Sequence, residues 1–259
     1  MNVISIDPAP SKRAVVFDGT FNTVDASELV AYCDSLALQE TLLCWDAPLT
    51  GPSSVRGSFS QRLIEQFFSR GETGFKTPKG VSVLPYSGCP HWAITRACLG
   101  LPICGKYDLP GERLPFMLTS DVAELEQDRA RVIETHPAVA IWLWCRELED
   151  KPGDEEQARS WIYKGSKPSR TIEEMWTLLT GVWMATKHHA IIEAMSRPAN
   201  VPDDDDKLDA FVGWVLGTLL LSNHPSVGIL GDSASGAIAL PMSTELQTAY
   251  DRFVTRSAG

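Results

Sequence analysis

Apolar residues along this chain come first in short compact runs and later in long runs of helical period. Val3 to Asp7 and Ala14 to Asp18 are β-rich, and Asp18-Gly19 is a hairpin signal ahead of Phe21 to Val24, so the chain should open on a three-stranded meander. Asp25 or Ser27 is placed to cap a helix whose Leu29, Tyr32, Cys33 and Leu36 keep one face apolar. Thr41 to Trp45 predicts a fourth strand. From Thr50 to Pro115 glycines and prolines break the periodicity, leaving helices expected only at Ser60 to Ser69 and near Pro90 to Cys98. Elaborated loops on a rigid sheet are where binding tends to reside. Arg131 to Thr135 predicts a fifth strand, and Pro137 suits the first turn of a helix through Trp142 and Cys145. Asp150 to Glu156 reads as a charged, exposed linker. Ile172 to Met195 carries Met175, Leu178, Leu179, Val182, Trp183 and Ile191 at helical spacing and predicts one long amphipathic helix. Leu208 to Leu221 predicts a last large helix, and Val227 to Leu240 a hairpin around glycines.

Three strands, a helix, a strand, an insertion, a strand and then helices imply an α/β fold, a mixed five-stranded sheet flanked by helices. Ribonuclease H-like folds have this order. With 259 residues, 44% of them hydrophobic, the chain can bury one substantial core, and a single domain over residues 1–259 with an insertion at about 50–125 is expected. Leu208 to Leu221 is 14 residues long, against the roughly 20 that a bilayer demands, so it reads as a buried helix. Met1 to Ala9 lacks the basic start, long apolar stretch and cleavage pattern of a secretory signal, so a cytoplasmic location is expected. Six dispersed cysteines form no Cys-x-x-Cys pair, and the gaps among Cys89, His91, Cys98 and Cys104 match no zinc pattern; most of the cysteines read as small buried hydrophobes.

Candidate chemistry lies in four acids. Asp7, Asp46 and Glu134 close short apolar runs, and Asp209 opens the most hydrophobic stretch, each without a sequence-adjacent cation to neutralise it. A divalent metal is their natural partner, because hard cations take carboxylate oxygens. A net charge of −10 disfavours broad attraction to nucleic acid, yet the charge is uneven. Eight basic residues between Arg56 and Arg113 stand against four acidic ones, and Arg159 to Arg170 adds four basic residues and no acid, alongside Trp161 and Tyr163. Such patches can track a phosphate backbone with aromatic stacking, or simply form a solvated surface.

Ile-Asp-Pro-Ala-Pro-Ser-Lys at residues 6–12, Trp-Asp-Ala-Pro-Leu-Thr-Gly-Pro at 45–52, Tyr-Ser-Gly-Cys-Pro-His-Trp-Ala-Ile at 86–94, Ile-Glu-Thr-His-Pro at 133–137 and Asp-Lys-Leu-Asp-Ala at 206–210 resemble a bacterial and archaeal family. It is a domain-of-unknown-function family described as predicted nucleases of ribonuclease H fold. The resemblance implies Asp7 on the first strand and Asp46 at the end of the fourth as principal metal ligands. Asp209 on the last helix is then a further ligand, with Asp206 three residues earlier on the same face. It leaves the fourth ligand open between Glu134, on the fifth strand where ordinary ribonuclease H enzymes do not usually place one, and Asp206. The implied activity is hydrolysis of nucleic-acid phosphodiesters with Mg²⁺ or Mn²⁺, in a two-metal site.

Around those acids, Lys12, Arg13 and Arg96 are candidates to contact phosphate, and His91 to touch substrate. His136 before Pro137 reads as a proton shuttle or a packed histidine. Two other functions fit the same elements: an ATP-binding protein of the actin and sugar-kinase kind, and a binding module that keeps the fold without turnover.

Overall fold

A computed structural model of the chain describes residues 1–8, 12–49, 61–78, 81, 91–99, 116–126, 130–146, 162–164, 168–232 and 236–257. The expected linker at Asp150 to Glu156, together with Cys89 and Cys104, lies outside the described residues. Among the described residues six strands form one mixed sheet: β1 (Asn2–Asp7), β2 (Arg13–Phe17), β3 (Phe21–Asp25), β4 (Thr41–Trp45), β5 (Met117–Leu118) and β6 (Arg131–Glu134), in the order β3-β2-β1-β4-β6-β5. β2 is antiparallel to both β1 and β3, whereas β4 runs parallel to β1, β6 to β4 and β5 to β6. Five of these strands are the expected ones. The two-residue β5 extends the edge beyond β6 and is too short to leave a periodic trace in the sequence.

The helices are α1 (Leu29–Ala37), α2 (Leu63–Ser69), α3 (Trp92–Leu99), α4 (Pro137–Arg146), α5 (Ile172–Ala185), α6 (His189–Ser196), α7 (Asp205–Leu221) and α8 (Thr244–Ser257). Two expectations are corrected. α1 is preceded by Glu28, which makes no side-chain cap, in place of Asp25 or Ser27. The single helix expected over Ile172 to Met195 is two, because Lys187 adopts a left-handed φ of 57° between α5 and α6. α5 starts on a capping box, with the Thr171 hydroxyl accepting from Glu174 N–H and the Glu174 carboxylate accepting from Thr171 N–H. Asp204 caps α7 by accepting from Lys207 N–H at 2.7 Å.

Strand residues alternate between two cores, one on each face of the sheet. Ile4, Ile6, Ala14, Val16, Leu43, Trp45 and Val132 join α1 and α3 on one face. Val15, Phe17, Leu42, Cys44 and Ile133 join α4, α5 and α7 on the other. α7 is buried on nearly every side, from Leu208 through Leu220, so its apolar run is a core helix. Among the described residues no helix is long and apolar enough to cross a membrane. Gly217 lets α7 approach the sheet closely: a Cβ there would stand 2.3 Å from Cys44 Sγ and 2.7 Å from Val3 Cγ1. Beyond the sheet, β7 (Val227–Asp232) and β8 (Gly236–Pro241) form the expected hairpin, and a parallel bridge from Thr135 to Ala239 joins it to the end of β6. Cys33, Cys44, Cys98 and Cys145 are free thiols inside the two cores.

Candidate metal centre

Asp7 and Asp46 leave adjacent parallel strands at the same level. Ile6 is level with Trp45, and the Asp46 N–H donates to the Ile6 carbonyl at 3.1 Å, extending the β1–β4 ladder by one step. Side-chain alternation then decides their direction. Val3, Ser5 and Asp7 share one face of β1, and Leu42, Cys44 and Asp46 share the same face of the β4 line, which is the face covered by α7. Asp209 sits in the second turn of α7 with no exposed surface. One carboxylate oxygen from each of Asp7, Asp46 and Asp209 lies within 4.8 Å of the other two.

Three carboxylates this close and this buried resist ionisation. Burial raises the pKa of Asp7 first, and the charges of Asp46 and Asp209 raise it further. Burial and then Asp209 push Asp46 up to about 8. Asp209 is also raised by burial, against the opposing pull of Lys164 and Tyr163. The Lys164 ammonium donates to Asp209 Oδ2, and the buried Tyr163 hydroxyl donates to Asp209 Oδ1 at 2.6 Å. Burial works against a charged Lys164, but Asp209, Asp46 and Asp7 together hold its pKa above the ordinary lysine range. Burial and the same carboxylates raise Tyr163, so its hydroxyl keeps its proton and remains a donor.

Glu134 is placed otherwise than expected. On β6 it is level with Trp45, and the position one step on, level with Asp46, is Thr135. A single step reverses the face, so Glu134 falls out of the line that carries Asp46. Both its oxygens are taken by Arg62, which donates from its two terminal nitrogens at 2.8 and 2.5 Å, and Leu49 N–H donates to it at 2.7 Å. Arg62 also bonds Glu65 through Nε at 2.9 Å. Arg62, Glu65 and Glu134 are at most 3% exposed, an enclosed ionic network that anchors the chain just after Asp46. Glu134 thus lies outside the group of three converging carboxylates, with Arg62 on both of its oxygens.

The remaining candidates fall at the rim or away from it. Asp206 contributes its charge to Asp7 and Asp46 and is 3.8 Å from the Nζ of the exposed Lys12. His91 is half-buried and close enough to Lys164 and Asp206 to feel both; burial first, then Lys164, lowers its pKa. Arg13 pairs with Asp25 across β2 and β3 at 2.8 Å. His136 precedes α4, its carbonyl accepting from Ala140 N–H, and it is not among the clustered ligands. Arg96 is on α3, and its side chain lies outside the described residues. Sequence reasoning missed Tyr163 and Lys164 as site residues; their one trace was the basic, aromatic stretch from Arg159 to Arg170.

The donor set fits a hard divalent cation. Three carboxylates converge with oxygen atoms only, and a cationic ammonium already sits against one of them. No protein-family model, no curated protein and no solved structure matches this chain.

Proposed function

We propose that this chain is a metal-dependent phosphodiester hydrolase acting on nucleic acid, built on a ribonuclease H-like fold. The observation that carries the reading is the convergence of Asp7, Asp46 and Asp209 within 4.8 Å from two neighbouring strand ends and one helix. Support for the fold comes from the meander β1-β2-β3 followed by β4 on the other side of β1, with β6 next. That arrangement puts a first-strand and a fourth-strand acid side by side, as the motif resemblance implies.

Asp7, Asp46 and Asp209 would hold Mg²⁺ or Mn²⁺, with Asp206 at the rim as a further carboxylate. When bound, such ions supply Lewis-acid activation of water and charge stabilisation at phosphoryl oxygens. Tyr163 orients Asp209 by donating to Oδ1. The Arg62–Glu134 pair fixes the chain after Asp46 through Leu49 N–H. His91 stands half-buried at the rim, near Lys164 and Asp206, where burial and then Lys164 lower its pKa. Lys12, exposed beside Asp206, is placed to meet a phosphate.

Calorimetric titration of Mn²⁺ into the wild type and Asp7→Asn tests the site, followed by a cleavage screen over single-stranded, duplex and branched DNA and RNA. Binding by the wild type that Asp7→Asn loses while remaining folded, and Mn²⁺-dependent cleavage that Asp7→Asn abolishes, are expected. Mn²⁺ binding that survives in Asp7→Asn would overturn the assignment of the site.

A further inference from the structure

Positive charge stabilises the ionised form of clustered carboxylates, and Lys164 supplies it here. Its electrostatic pull reaches Asp7, Asp46 and Asp209 alike. Of two other described cations nearby, Arg62 is committed to Glu65 and Glu134, and the exposed Lys12 meets Asp206 at the rim. Lys164 is also mechanically suited to leave. Its side chain is 39% exposed although its partner Asp209 is fully buried, and a lysine ammonium is a compact charge on a flexible four-carbon stem.

We infer that Lys164 is the resident counter-ion of the Asp7–Asp46–Asp209 cluster, and that a divalent cation binds by displacing its ammonium from Asp209. The inference rests on the metal reading given above. An ammonium offers only donors and no lone pair, so it cannot serve as a ligand. It holds Asp209 Oδ2, an oxygen of one of the three converging carboxylates, and a second cation brought to that oxygen meets like charge at contact distance. Displacement relieves that repulsion and leaves the carboxylates to the metal. Metal affinity is therefore the cluster's intrinsic affinity reduced by competition with a tethered cation, and the tether sets the strength of that competition.

The test is Mn²⁺ calorimetry on the full chain with Lys164→Met, Lys164→Arg and Lys207→Met beside the wild type. Loss of the competitor should tighten Mn²⁺ binding by about tenfold or more in Lys164→Met. Lys164→Arg, which keeps a cation at the same place, should bind no more tightly than the wild type. Lys207→Met, whose ammonium pairs with Asp203 at 2.5 Å, reads the effect of merely removing a nearby positive charge and should shift affinity by about twofold or less, as a screened charge does.

Thermal unfolding supplies an independent readout. Lys164→Met without metal should melt below the wild type, because the buried Asp209 loses the ammonium bonded to it, and should gain more from saturating Mn²⁺. If the wild type binds Mn²⁺ and Lys164→Met binds equally or more weakly, or gains no more than Lys207→Met, displacement is wrong and the metal site stands. Binding by Lys164→Met alone, abolished by adding Asp46→Asn, would show Lys164 blocking the site. No binding by any variant overturns the metal reading and this inference with it. A Lys164→Met chain that cannot fold even with Mn²⁺ present also overturns the inference, because it makes Lys164 a structural requirement.

Discussion

Gly213 lies against Ser5 so closely that a Cβ on it would stand 2.2 Å from the Ser5 Oγ. One turn before Gly213 on α7 is Asp209, and two residues beyond Ser5 on β1 is Asp7. The absence of a side chain at Gly213 is thus what brings the helical acid down to the strand acid. Gly217, one turn further on, repeats the contact against Cys44 and Val3.

Gly217→Ala should cost more than Gly213→Ala. Overpacking a core typically costs about 1–3 kcal/mol, and alanine returns at most about 1 kcal/mol of helix propensity. At Gly213 the Ser5 hydroxyl can rotate aside, whereas at Gly217 a sulfur and a valine methyl are both in the way. Denaturant unfolding should rank wild type, Gly213→Ala and Gly217→Ala in falling stability, with Mn²⁺ affinity falling in the same order as α7 lifts from β1 and β4.

Arg62→Met should be the most destabilising change near the site, by about 3–5 kcal/mol, because it strands two buried carboxylates, Glu65 and Glu134. Glu134→Gln should cost less, since Arg62 keeps Glu65. Where Glu134→Gln folds, its Mn²⁺ affinity should stay within a few-fold of wild type. A folded Glu134→Gln that binds no Mn²⁺ would return Glu134 to the ligand set.

The acid cluster sets a pH dependence whose sign follows from its raised pKa values. Between the ordinary carboxylate range and about 8, folded Asp46 holds a proton that the unfolded chain has lost. The folded state binds more protons in that window, so the stability of the metal-free protein should fall as pH rises through it. Mn²⁺ needs ionised carboxylates, so its affinity should rise over the same window. Asp46→Asn, scanned by thermal unfolding from pH 4 to 9, should show a shallower decline than wild type; an unchanged slope would remove Asp46 as its source.

Tyr163→Phe deletes one donor to Asp209 and nothing else near it. A hydrogen bond to a charged group is worth about 1.5–3 kcal/mol, so a stability loss of that order is expected from chemical denaturation. Mn²⁺ should still bind, more weakly, because Asp209 keeps its oxygens but loses the contact that orients it. Tighter binding in Tyr163→Phe would mean that the hydroxyl competes with metal rather than positioning the ligand.

Much of this arrangement was legible because acids interrupting apolar runs are conspicuous: Asp7, Asp46 and Asp209 each stand out against their neighbours, and the meander announces itself through Asp18-Gly19. Register was not legible. Nothing in Ile-Glu-Thr-His-Pro says that Thr135, and not Glu134, stands level with Asp46, nor that Arg62, 72 positions away, takes both Glu134 oxygens. Lys164 lies 45 positions from Asp209 and Tyr163 lies 46, so their pairing leaves no local pattern. The break at Lys187 was hidden for another reason. Apolar spacing continues through it, and the left-handed residue is a lysine, so no glycine marks the turn.

The cluster draws Asp7, Asp46, the Tyr163-Lys164 pair and Asp209 from four distant stretches, none holding more than one of its acids. Until β1, β4 and α7 have docked, Asp7, Asp46 and Asp209 cannot share one ion, and these three behave as ordinary separate acids. Ion capture would then be confined to the finished fold and could report its completion. An ion held there would join the strand seam to the helix, making local opening of either a route by which the ion is lost.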